Sequence, residues 1–146
     1  MYQIPFVRVA LVGERTIPSP LRVVRSPEEA AAVLREVIGD YDRETFAVLL
    51  LDTKNRLIAV HIASIGLLDS APVHPREIFK AAILANARAV ILGHNHPSGD
   101  PQPSAQDMRV THLLAEAGRL LEIQVLDHII IGDGTHVSLR ARGEPL

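Results

Sequence analysis

Apolar and polar positions along the chain fall into helical and extended stretches that alternate. Ala30, Val33, Leu34, Val37 and Ile38 recur at helical spacing. Ser26-Pro27-Glu28-Glu29 opens that helix with Ser as N-cap, Pro at the first helical position and Glu at N3, a capping box, and Gly39 is a fitting C′ residue. Thr45 to Leu51 is apolar after its first residue and reads as a buried strand. Asp52-Thr53-Lys54-Asn55 turns the chain, and Arg56 to Ile65 returns as the second strand of a hairpin. Pro75 to Ala87 carries Ile78, Phe79, Ala82 and Ile83 along a second helix, and Ala89 to His94 follows as a strand. Ser104 to Ala117 reads as a third helix that Gly118 is expected to end. Leu121 to Val125, Asp127 to Ile131 and His136 to Leu139 read as short strands, the last two joined at Gly132-Asp133-Gly134. Ahead of all this, residues 1 to 25 hold the apolar runs Phe6 to Val12 and Leu21 to Val24, broken by Gly13, Pro18 and Pro20. They are expected to form a strand or two packed on the domain. Helices interleaved with hairpins predict one α/β domain over residues 26 to 146, with a mixed sheet and no regular βαβ series.

Composition narrows the class. The 146 residues are 47% hydrophobic but only 3% aromatic, so a single core must be built from Leu, Ile, Val and Ala. The absence of cysteine removes disulfides and thiolate metal sites, and suits a cytoplasmic protein. No apolar stretch approaches the roughly 20 residues of a membrane span, and the N-terminus lacks the pattern of a signal peptide. No membrane association is expected. The net charge is −2 and the Lys and Arg residues do not cluster, whereas duplex-binding proteins normally present a basic face.

The chemistry concentrates in His94-Asn95-His96-Pro97. If the strand continues to His96, alternation turns both imidazoles to one face. The loop Ser98 to Pro103 then returns the chain to Ser104, a good N-cap, with Asp107 at N3. Two imidazoles and a carboxylate make the ligand count of a catalytic zinc, whose fourth position stays open for water. Ser104 and Asp107 also suit a plain helix cap. The tripeptide is not an HNH nuclease signature, whose residues are dispersed through a ββα-metal motif. Zinc nucleobase deaminases use His-x-Glu with Pro-Cys-x-x-Cys, and this chain has no cysteine and has His at position 96.

His94-x-His96-Pro97 followed by Ser104 and Asp107 resembles the motif of the JAMM (MPN/JAB) metallopeptidases. The fuller string from His94 to Asp107 resembles their RadC branch, as do Arg43-Glu44-x-Phe46, Leu50-Leu51-Asp52-x-Lys54-Asn55-Arg56, His74-Pro75-Arg76-Glu77 and Leu126-Asp127-His128-Ile129-Ile130, in the same order. The resemblance covers roughly Ser26 to Ser138. It implies the JAMM fold, a curved central sheet with helices on both sides, similar in layout to cytidine deaminases. It implies zinc held by His94, His96 and Asp107. Glu44, just ahead of a buried strand, is then the acid/base, with Asp42 and Glu77 as fallbacks, and Ser104 is the donor to the oxyanion. The implied reaction is hydrolysis of a peptide or isopeptide bond in a peptide or protein substrate.

The remaining polar residues receive plainer readings. Asp100 is a turn residue, and His128 is structural or a partner behind the ligands. His74, at a helix start, could line a substrate groove, while His61, His112 and His136 are ordinary. RadC relatives carry a DNA-repair label and many have an upstream helix-hairpin-helix region, which the 25 residues ahead of this domain are not expected to hold. A DNA repair or recombination factor without catalysis is the alternative reading, and a metal-binding scaffold is a third. The charge pattern makes nucleic acid a weak expectation. Titrating salt against fluorescent duplex and branched DNA should show only weak, non-specific binding at physiological ionic strength, because few phosphates can be neutralised. Sub-micromolar affinity with a steep salt slope would reverse that ranking.

Overall fold

Residues 1–66 and 73–146 are described by the computed structural model. Ser26 caps helix α1 (Pro27–Ile38), its hydroxyl accepting from Glu29 N. Strands β1 (Thr45–Leu51) and β2 (Leu57–Ile65) form the expected hairpin. Helix α2 spans Pro75–Leu84, β3 Ala89–Asn95, α3 Ala105–Leu121, β4 Gln124–Ile131 and β5 His136–Ser138. The sheet order is β2-β1-β3-β4-β5. β1 runs antiparallel to both β2 and β3, β4 parallel to β3, and β5 antiparallel to β4. This is the expected α/β domain with a mixed sheet and no regular βαβ series.

Strand alternation builds the two cores. Phe46, Val48 and Leu50 of β1 and Val90 and Leu92 of β3 face Ile78 and Phe79 of α2 and Val110 and Leu114 of α3. Ala47, Leu49, Leu51 and Ile91 face the other way, onto Val33, Leu34 and Ile38 of α1. β1 is buried on both faces, which explains its unbroken apolar run. Both layers meet at β3, whose C-terminal end carries the histidines.

The structure corrects several sequence expectations. Phe6 to Val12 form no strand: Phe6 is 104% exposed and Val9 72%, and among the described residues no strand lies alongside to take their backbone groups. Only the end of the segment packs, with Val23 bridged to Arg56, Leu57 N donating to Arg22 O, and Val24 buried. α2 stops at Leu84, since Asn86 takes a positive φ of 54°. Gly39 stays in the right-handed helical region instead of turning left-handed. The two strands expected between Leu121 and Ile131 are one strand.

Gly118 does not end α3, which runs on to Leu121 and stops at Glu122 with φ 57°. The glycine is instead a packing position. A β-carbon there would lie 2.4 Å from the Ile123 carbonyl oxygen and 3.2 Å from both Phe79 and Val125. Helix propensity alone would reward Gly118→Ala by up to about 1 kcal/mol. Overpacking against fixed backbone costs about 1–3 kcal/mol and should win. Urea unfolding should therefore show Gly118→Ala destabilised by up to about 2 kcal/mol, and a gain in stability would contradict this packing role.

Candidate metal centre

The site forms where the C-terminal end of β3 meets the N-terminus of α3. His94 pairs across the sheet with Phe46 and Ile130, and its ring stacks on Phe46 with centroids 5.9 Å apart and planes 8° apart. The chain stays extended past Asn95, as His96 N donates to Ile131 O at 2.9 Å. Both imidazoles therefore point to the α3 side, as the His-x-His spacing predicts. Ser104 and Asp107 form a full capping box: Ser104 Oγ accepts from Asp107 N at 3.0 Å, and Asp107 Oδ2 accepts from Ser104 N at 2.8 Å. The cap does not exhaust the carboxylate, which also reaches both histidines.

Glu44, His94, His96 and Asp107 each offer a ligand atom, and these atoms all lie within 4.8 Å of one another. The two Nε2 atoms are 3.0 Å apart, Asp107 Oδ1 is 3.3 Å from His94 Nε2, and Asp107 Oδ2 is 3.2 Å from His96 Nε2. Glu44 Oε1 stands further off, 3.6 Å from His94 and 3.8 Å from His96. A tetrahedral ion with bonds of ~2.0–2.1 Å has ligands roughly 3.4 Å apart. The three closest ligands match that spacing, and nitrogen and oxygen donors suit such an ion. The residues thus fit a metal, with Glu44 Oε1 set slightly further off than the other three ligand atoms.

The surroundings decide which ring nitrogen faces the centre. His96 Nδ1 donates to the Asp100 carbonyl at 2.8 Å, leaving Nε2 as the inward atom. His94 Nδ1 lies 2.7 Å from His128 Nε2, and His128 Nδ1 lies 2.5 Å from Thr111 Oγ1. All three of these side chains are buried. Asn95, on the opposite side of the strand, holds the segment that carries Glu44. Its amide NH2 donates to Tyr41 O at 3.2 Å and Arg43 O at 3.0 Å, and its Oδ1 accepts from Thr45 N at 2.7 Å.

Charge follows the geometry. Burial alone would raise the Asp107 carboxyl, but the close imidazoles of His94 and His96 outweigh it and hold the group far below the usual carboxylate range. The hydrogen bond to Asp107 raises His96, against the opposing effect of burial. Burial, followed by repulsion from His94, pushes His128 well below the usual histidine range, so that ring is neutral at physiological pH.

Of the residues singled out in the sequence, Glu44, His94, His96 and Asp107 come together. Ser104 stands at the adjoining helix cap with its side chain exposed. Asp42 is exposed and outside the cluster, and Glu77 pairs with Lys80 at 3.2 Å. His74 is the exposed N-cap of α2 and makes no side-chain cap bond. His112 pairs with Glu144 at 2.9 Å. His61 sits on β2, where burial lowers its pKa, and its Nδ1 finds no partner among the described residues. Sequence reading missed the clamp made by Asn95, the carbonyl of Asp100 and the hydroxyl of Thr111. The strand alternation that pairs the histidines does put Asn95 on the other face, so part of that signal was available. Among the described residues no helix is long and apolar enough to cross a membrane.

Comparison with known proteins agrees with this geometry. Residues 24–144 match the family model described as a RadC-like JAB domain. A UPF0758 protein of Desulforudis audaxviator is 56% identical over 120 residues, which cover 82% of this chain and 52% of that protein. One from Desulforamulus reducens is 50% identical over 141 residues, covering 94% of this chain and 62% of the relative. One from Methanosarcina acetivorans is 47% identical over 130 residues, covering 89% and 57%. The chain thus spans between 52% and 62% of the length of these relatives. With the match extending over most of its residues, the chain belongs to the RadC-like JAB domain family.

Proposed function

We propose that the chain is a zinc-dependent hydrolase of JAMM type that cleaves a peptide or isopeptide bond in a peptide or protein substrate. The observation that carries this reading is the convergence of Glu44, His94, His96 and Asp107 within 4.8 Å, three of them at the spacing of a tetrahedral ion. When bound by His94, His96 and Asp107, zinc would supply Lewis acidity and a water of lowered pKa in its open position. Glu44 Oε1, the ligand atom set furthest from the histidines, takes the proton of the attacking water and passes it to the leaving amine. Ser104 accepts the cap bond from Asp107 N, and its hydroxyl proton serves the carbonyl oxygen as charge develops there. Asn95 keeps Glu44 in place by its three bonds to the flanking backbone.

Elemental analysis should find one zinc per chain in the wild type and essentially none in His96→Ala. Equal zinc in both would remove this ligand assignment. The pH dependence has a definite sign. His96 is raised in the metal-free fold, so its contribution to stability is complete below about pH 6.5 and is lost as pH rises through its folded pKa. Asp107 is lowered, so its contribution is present above about pH 3.9 and is lost as pH falls toward its folded pKa. The proton that steadies metal-free His96 competes with zinc. Chelator competition should show zinc affinity rising with pH from about 6 into the raised His96 range, by up to about tenfold per unit. Affinity that stays flat across that window contradicts the assignment.

Glu44→Gln keeps the shape of the side chain but removes the base. On a peptide and isopeptide library with zinc-loaded protein, it should retain its metal while hydrolysis drops by about 10²–10⁴-fold. Asp107→Ala should lose metal and activity together. Undiminished turnover by Glu44→Gln would dismiss its proposed role.

A further inference from the structure

We infer that Thr111 and His128 are positioning residues that fix His94 as a ligand through Nε2, by a hydrogen-bond relay running back to the main chain of α3. The inference rests on the metal-site reading above. It starts from a difference between the two histidine ligands. His96 is oriented by a carbonyl, the Asp100 oxygen at 2.8 Å, which can only accept. His94 is oriented by another imidazole, His128, at 2.7 Å. An imidazole can donate or accept, so this contact alone leaves the His94 tautomer undecided.

The decision lies one bond further on. His128 Nδ1 meets Thr111 Oγ1, and Thr111 Oγ1 is 2.7 Å from the carbonyl oxygen of Asp107, one helical turn back. A hydroxyl has a single proton, and the carbonyl has only lone pairs to offer. When Thr111 donates to Asp107 O, a common habit of helical threonine, its oxygen must accept from His128 Nδ1–H. A ring that donates at Nδ1 accepts at Nε2, so His128 Nε2 takes the proton of His94 Nδ1. His94 Nε2 is left with its lone pair turned to the centre, 3.0 Å from His96 Nε2 and 3.3 Å from Asp107 Oδ1. With a metal taking the His94 Nε2 lone pair, every member of the relay is satisfied in this order, and Thr111, His94 and His128 are all 0% exposed. The opposite order puts a proton on His94 Nε2, where a metal must bind. Asp107 therefore belongs to both ends: its carboxylate lies among the ligands, and its carbonyl terminates the relay that orients one of them.

Thr111→Val tests this in the full chain, because it preserves shape and removes only the hydroxyl, which accepts from His128 and donates to Asp107 O. Without that acceptor His128 holds its proton on Nε2, toward His94, and zinc must displace a proton from His94 Nε2. Zinc affinity from chelator competition at fixed pH should fall by about 10–100-fold, the usual cost of losing such a partner. Thr111→Ser, which restores the hydroxyl, should bring affinity back to within a few-fold. Ring nitrogen NMR of the zinc-loaded wild type should show protons on His94 Nδ1 and His128 Nδ1, a readout that needs no variant to fold. The relay is overturned if Thr111→Val binds zinc like the wild type, if Val and Ser variants weaken it equally, or if His128 carries its proton on Nε2 in the loaded wild type. A wild type that binds no zinc instead sinks the metal-site reading, and the relay with it.

Discussion

The Asp107 carboxylate ties the helical layer to the sheet, and the rest of the centre depends on it. One oxygen caps α3 and faces His96, while the other faces His94. A buried carboxylate is costly unless it is fully partnered. Here the partners come from a helix N-terminus, whose dipole favours the negative charge, and from two imidazoles. Helix start, strand end and ligand set are therefore satisfied by one group. Losing it would strip α3 of half its capping box and leave two histidines facing each other.

How much of this was legible in the sequence depends on the range of the interaction. β1 and β3 declared themselves by their apolar runs, and α1 by its cap and spacing, because those signals are local. The ligands were legible for the same reason: His-x-His on a strand and Ser-x-x-Asp at a cap are short patterns with fixed geometry. Gly118 misled because a glycine inside a helix and a glycine ending one look alike until Ile123, Phe79 and Val125 are in place around it. The run Phe6 to Val12 misled because an apolar pattern reports what a segment could bury, not whether a neighbouring strand is present. Glu44 required the family resemblance, since nothing near it in the chain distinguishes it from any strand-end glutamate.

The buried polar groups around the centre are unusually well matched. Asn95 uses its oxygen and both sides of its NH2 reach on main-chain groups flanking Glu44. Asp127 accepts from His128 N, Ser138 Oγ and Arg140 N, and so anchors the strand that carries His128. Such networks are rigid when complete and costly when one member is lost. That rigidity suits a centre whose ligands must stay spaced to tenths of an ångström, and it places the precision on strands and a helix N-terminus instead of on loops.

The alternation at His94-Asn95-His96 has a consequence for heritable change. Two residues facing α3 and one facing away make the strand a device counted in single residues. Replacement of an apolar neighbour such as Val90 or Ile91 by another of similar size leaves that count untouched. Insertion or deletion of one residue between Ala89 and His94 would turn Asn95 toward α3 and both histidines toward α1. For the ligand set, length in this stretch is therefore a stricter requirement than the identity of Val90 or Ile91: one residue more or fewer removes the histidines from the α3 side, whereas a like-sized apolar exchange leaves them there.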